Sequence, residues 1–255
     1  MSHISIYLTN LGKYNEGELV GEWVDLPVSD EELQEVYKRI GISDEPDEDG
    51  NYYEEYFITD YESDIPGLHI DEYDSISSLN ELAEAVDDLD DYDLKIFKNA
   101  VEAGYIDADD IADFDPDDFY LYEGVDSDSE LGEIIIDELY GSPSGLDSDT
   151  LERYFDYDAY GRDIRLEFDP YSWVDDEEEA KERFGVEDIG EIDAYDYFDV
   201  SSDYALGEHF VDNLYGSLSE LGKDTLEKYF DYDSYGRDCA YDGCYTEDGF
   251  LWDRR

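Results

Sequence analysis

The chain has 255 residues, and its 76 Asp and Glu against 15 Lys and Arg leave a formal net charge of −61 at pH 7. Such an excess repels nucleic acid and anionic membranes and attracts basic protein surfaces, which excludes direct DNA or RNA binding and a membrane-surface role. High charge also marks disorder, but 26 Tyr, 11 Phe and 3 Trp, with apolar residues at regular spacing, mark a folded chain.

The start MSHISIYLTN has neither a basic n-region nor an apolar h-region, and no apolar run approaches a membrane span, so a cytoplasmic, reduced protein is expected. ISIYLTNL alternates as a strand, GEWVDLPV follows the KYNEGELVG turn as a second, and YYEEYFITDYE reads as a third. Between the last two, Ser29 and Glu32 form a capping box for the helix DEELQEVYKRIG, which stops at Gly41. Residues 1–62 are therefore expected to form an α+β domain, a three-stranded antiparallel sheet with a helix.

The loop EPDEDGNYYEEY puts Glu45, Asp47, Asp49 and Gly50 at the first offsets of a calcium loop, but its last ligand position falls on Tyr56 instead of a bidentate Glu. An acidic loop without metal is expected. From Ser75 the period changes: SISSLNELAEAVDDL and YDLKIFKNAVEAGY space apolar residues three and four apart, giving a helical middle domain over 63–115.

A repeat then takes over. Residues 129–163 align without a gap on 204–238 at an offset of 75, so that LERYFDYDAYGRD answers LEKYFDYDSYGRD. Upstream, Tyr120 and Tyr122 fall on Tyr195 and Tyr197. Each copy is expected to hold a helix, LGEIIIDELYG in the first, then a second helix opened by Asp149 with Glu152 (Asp224 with Glu227) and closed at the Gly of YGRD. IRLEF is expected as a following strand. These readings place a first C-terminal-type α+β domain at 116–169, and a linker with the second copy at 170–255.

Cys239, Cys244, His3, His69 and His209 do not assemble a zinc pattern, and no cofactor is expected. With 76 acids, close carboxylate pairs arise by chance and no nucleophile constellation accompanies them, so no enzyme is expected. Tyr154, Phe155, Tyr157 and Tyr160 are expected at core and rim with wet hydroxyls, and Arg162 and Arg237 as braces to neighbouring carboxylates.

The acids are spread through ordered segments, and from Asn99 to Glu152 there is no Lys or Arg at all. The carboxylates expected to face a partner are Asp60, Glu62, Asp64, Asp71, Glu72 and Asp74 around the third strand. Asp107, Asp109, Asp110, Asp113, Asp115, Asp117, Asp118 and Glu123 continue the set. Asp126, Asp128, Glu130, Glu133, Asp137 and Glu138 follow on the first repeated helix, with Asp156, Asp158, Asp231 and Asp233 in the repeated motif. An acid every fourth helical residue is about 6 Å along the axis, the order of the spacing between phosphates. The 61 charges match roughly 100 Å of duplex, whereas a compact globule of this length has a radius of gyration near ~18 Å. An elongated chain of small α+β domains is expected. Halophilic adaptation is the competing reading of the charge, although it goes with fewer large aromatics.

IYLTNLGKYNEGELVGEW, YFITDYE with DEYDSISSLNEL, and YFDYDAYGRD resemble the ArdA antirestriction family, over residues 1–168 in order. The resemblance implies an elongated, three-domain mimic of B-form DNA, often paired head to head. Its implied partner is the DNA groove of type I restriction and modification enzymes, and its implied benefit is protection of incoming mobile DNA. The alternative is an acidic binder of another basic partner, such as a CRISPR effector or a nucleoid protein. The chain departs from the family in its second C-terminal copy, which would lengthen the mimic, replace a homodimer partner or block dimerisation.

Overall fold

A computed structural model describes residues 3–46 and 50–255. By contacts the chain divides into two compact units, Met1–Gly124 with Asp242–Arg255, and Val125–Tyr241. The boundaries expected at 62, 115 and 169 follow changes of element type; these two units follow contacts.

In the first unit, β1 (Ile4–Asn10) lies between β2 (Gly21–Leu26) and β3 (Tyr56–Ser63), antiparallel to both. Alternation sends Ile4, Ile6 and Leu8 into the core with no exposed area, where Val24, Leu26, Val36, Val86 and Phe97 join them. A short α1 (Leu11–Asn15) leaves β1 at Asn10. The buried Asn10 side chain accepts from Lys13 N and donates to Ile40 O and Gly41 O, so its polar atoms are satisfied. The helix α2 (Asp30–Arg39) starts as expected, with Ser29 Oγ accepting from Glu32 N. The helices α3 (Ile76–Asp87) and α4 (Asp91–Glu102), capped by Ser75 and Asp90, present the expected apolar stripes to the core.

A second sheet completes this unit. The strand β4 (Phe119–Glu123) pairs with β6 (Gly249–Asp253), which closes a hairpin with β5 (Gly243–Thr246), in the order β4-β6-β5. Phe119, Leu121 and Leu251 pack on Ile96 and Ala100 of α4.

The second unit holds α5 (Asp128–Tyr140), α6 (Ser148–Tyr154), α7 (Tyr157–Glu167), α8 (Pro170–Trp173), α9 (Glu177–Phe184) and α10 (Ala194–Phe198). Then come α11 (Asp203–Phe210), continued by a π-helical turn over Val211–Tyr215, α12 (Lys223–Tyr229) and α13 (Tyr232–Cys239).

Four expectations for the repeat are corrected here. The cap of α6 is Asp147, accepting from Thr150 N, and α12 starts at Gly222 without a side-chain cap, so the Asp149 and Asp224 boxes do not form. The run LERYFDYDAYGRD is two helices: the chain turns extended at Phe155, and Asp156 opens α7 by accepting from Ala159 N. Gly161 ends nothing and IRLEF is no strand, because α7 runs through both to Glu167.

The helices of one copy lie on those of the other. The pair α5 with α13 repeats as α11 with α7, at the sequence offset of 75. A Cβ on Gly161 would collide with Asp203 O, and one on Gly236 with Asp128 O, so the backbones meet where only glycine fits. At the crossing, Phe155 and Phe230 form an antiparallel bridge. Asp156 N donates to Tyr229 O at 2.8 Å, and Asp231 N donates to Tyr154 O at 2.7 Å.

Candidate partner-binding surface

All of the carboxylates expected to face a partner lie within the described residues, and all but Asp74, Asp118 and Asp128, which are half-buried, are exposed. Of the residues invoked for a calcium loop, Asp47 and Asp49 lie outside the described residues. Among the described residues no cluster of His, Cys, Asp and Glu is arranged to hold a metal ion, and no helix is long and apolar enough to cross a membrane.

Exposure is shared, but engagement is not. Asp64 accepts from Lys98 Nζ at 2.7 Å and contacts His3; burial pushes its carboxyl up, but the hydrogen bonds to Lys98 and then His3 together outweigh it and leave the carboxyl below its usual range. Glu123 binds Lys95 at 2.6 Å. Asp71 contacts His69, while Asp74 closes the same turn by accepting from Asp71 N. Asp60 turns back onto Tyr61 N. Asp115 caps the turn at Asp117, and Glu130 accepts from Asp126 N. Asp156 and Asp231 are the N-caps of α7 and α13. Asp128 and Asp233 both pair with Arg237. These groups keep negative charge at the surface while fixing the backbone beneath it.

A second set makes no ion pair among the described residues: Glu62, Glu72, Asp107, Asp109, Asp110, Asp113, Asp117, Asp118, Glu133, Asp137, Glu138 and Asp158. The structure gathers Asp107, Asp110, Asp113, Asp115 and Asp118 around one open cleft of about 280 Å³ in the first unit. Arg255 lies at this cleft, over Phe119 and Tyr105, with its guanidinium on Asp253. Nearby, burial and then the charges of Asp90 and Asp117 raise the pKa of Asp93.

In the second unit, Glu133 and Asp137 meet Glu227 beside Tyr232, whose pKa is raised by burial and then by these three charges. The other copy repeats the arrangement: Tyr157 is pushed up to about 12 by burial, with Glu152, Asp212 and Glu208 adding to it. Glu152, Glu208, Asp212 and Glu227 were not among the expected residues, although Glu208 and Asp212 stand 75 residues after Glu133 and Asp137. Applying the repeat to the helix acids was the signal that would have found Glu208 and Asp212.

The expected braces are also revised. Arg237 pairs as expected, but Arg162 makes no ion pair among the described residues. Arg165 takes that place: its Nε donates to Asp203 Oδ1 at 2.8 Å, and Tyr195 adds a hydroxyl to the same oxygen. Arg165 and then Tyr195 hold the Asp203 carboxyl below its ordinary range against partial burial. The repeated tyrosines are less wet than expected. Tyr154 is buried and donates to Asp238 of the other copy at 2.6 Å, and Tyr229 donates to Asp163 at 2.9 Å.

The family model described as Antirestriction protein (ArdA) matches residues 6–176. The chain belongs to the ArdA antirestriction family. The match runs from within β1 to just past α8, so α9 to α13 lie beyond it. Among curated proteins, none matches the chain. As an antirestriction protein, the ArdA chain is concerned with restriction and modification enzymes.

Proposed function

We propose that this ArdA chain acts as a DNA mimic, occupying the DNA-binding groove of type I restriction and modification enzymes in the cytoplasm and protecting incoming mobile DNA. The observation that carries this reading is the set of carboxylates, all exposed but the half-buried Asp118, that make no ion pair among the described residues, concentrated where residues 99–152 offer no Lys or Arg. A basic groove built for phosphates loses counterions when it takes up such a surface, as it does with DNA. The expected partner-facing carboxylates serve as phosphate substitutes, while capped and paired ones such as Asp156 and Asp64 hold the frame. Inhibition is by occupancy, with no bond made or broken in the inhibitor and no cofactor.

The test is competition between the purified chain and a labelled duplex for a purified type I methyltransferase core at low salt. Displacement that weakens steeply as salt rises is expected. Because like charges crowd the free chain, its own melting midpoint rises with the same salt, opposite in sign. Failure to displace the duplex at low salt overturns the proposal. Equal displacement from unrelated basic proteins would replace it with a general acidic binder.

A further inference from the structure

Unit Val125–Tyr241 has the anatomy of a two-fold interface in which both sides belong to one chain. A self-complementary interface has a signature: if residue i of one side meets residue j of the other, then j of the first meets i of the second. Here that relation is read at the offset of 75. Tyr154 donates to Asp238, and Tyr229 donates to Asp163. Arg153 lies 3.4 Å from Asp238, and Lys228 lies 2.8 Å from Asp163. The rings of Tyr154 and Tyr235 are 5.2 Å apart, and those of Tyr160 and Tyr229 are 5.0 Å apart. The two glycine crossings and the reciprocal backbone bonds at Phe155 and Phe230 obey the same rule.

We infer that the second copy fills the place of a second chain, so that the protein is a monomer whose pairing surface is closed within itself. Tethered copies meet at an effective concentration on the order of 1 mM, while two separate chains of net charge −61 repel one another. The connecting segment supports closure in cis, because it joins the end of α7 to the start of α11, and those two helices pack together. The buried Tyr154, Phe155, Tyr229 and Phe230 are then covered by the chain's own repeat. This inference rests on the repeat geometry and not on the target of the acidic surface.

The 255-residue chain itself supplies the test without a variant. Chains grown with light and with heavy isotopes are mixed, unfolded, refolded together and treated with a carbodiimide, which condenses an ammonium with a touching carboxylate. Lys228 and Asp163, at 2.8 Å, should couple, and Lys98 with Asp64, at 2.7 Å within the other unit, serves as the internal control. Peptides joining Lys228 to Asp163 are expected to be only light–light or heavy–heavy and to come from species of single-chain mass. Sedimentation should give that mass, with an unchanging melting midpoint, over about a thousandfold range of concentration. Light–heavy peptides, or a midpoint that climbs with concentration, would mean that pairing occurs between chains and would overturn the inference. Coupling of the control pair without any Lys228–Asp163 product would overturn the pairing itself.

Discussion

The two helix pairs of the second unit, α5 with α13 and α11 with α7, are built from the same words and held by different braces. Around the first, Arg237 of YGRD reaches Asp128 and Asp233. Around the second, the equivalent Arg162 makes no ion pair among the described residues, and Arg165 from the following turn binds Asp203 with help from Tyr195. The helix ends differ too. In α5 the Gly141 amide returns to Asp137 O, whereas Gly216 returns to Val211 O, one residue further, through the π-turn. What the copies share is the close approach of glycine backbones and the crossing at Phe155 and Phe230; what they do not share is the arginine that braces each helix pair. Shape therefore defines the pairing, and ion pairs only trim it.

The glycines should give the largest effect. In Gly161→Val or Gly236→Val the new side chain meets backbone carbonyls that cannot swing aside, so the gain in helix propensity, about 0.5 kcal/mol, is overwhelmed by overpacking of about 3 kcal/mol. Denaturant melts of the two variants should show near-equal losses. A loss in one and not the other would mean that the two crossings are not equivalent.

The hydroxyls come next. Tyr154→Phe removes a donor from Asp238, whose remaining cation, Arg153, stands at 3.4 Å, whereas Tyr229→Phe leaves Asp163 with Lys228 at 2.8 Å. A hydrogen bond to a charged group is worth about 1.5–3 kcal/mol, so Tyr154→Phe should cost about 2 kcal/mol and Tyr229→Phe less. Equal losses in thermal melts would show that the remaining cations do not compensate.

The first sheet and the helices of the first unit were legible in the sequence because their signals are local: Ile4, Ile6 and Leu8 alternate, and Ser29, Ser75 and Asp90 sit where caps belong. The repeat was legible as a repeat but not as a structure. Ile164, Leu166 and Phe168 alternate like a strand, yet α7 continues through Glu167 because α11 packs along it. Gly161 resembles a helix stop, and only the partner helix reveals that it marks a close approach. Tyr120 and Tyr122 stand in a strand, while their counterparts Tyr195 and Tyr197 stand in α10. The first pair finds β6 to bond with, a partner supplied by the far end of the chain. The turn of that hairpin is Glu247–Asp248, and its residues were expected in the second copy, at 170–255. For the surface, exposure followed from charge alone, whereas the division into free carboxylates and braces such as Asp128 depends on cations distant in sequence.

The arginines give a smaller contrast. Arg165→Gln should lower the melting midpoint measurably, since Asp203 keeps only the Tyr195 hydroxyl, while Arg162→Gln should leave it within the scatter expected of a surface change. A larger effect at Arg162 would restore the symmetric brace that the repeat suggested.

The smallest effect expected is the share of the pH dependence that Asp203 contributes. Its folded pKa is depressed, by Arg165 first and then Tyr195, so its contribution to stability is complete above the unfolded carboxylate value of about 3.9. It is lost as pH falls through the lower folded value, where the carboxylate takes up its proton. Asp203→Asn should therefore lower the melting midpoint at neutral pH, and the gap to the natural chain should close in acid. Measuring the gap, and not the midpoint itself, cancels the release of self-repulsion that acid brings to every other carboxylate. A gap that stays constant with pH would mean that Asp203 acts through shape, as the glycines do, and that even this brace owes little to charge.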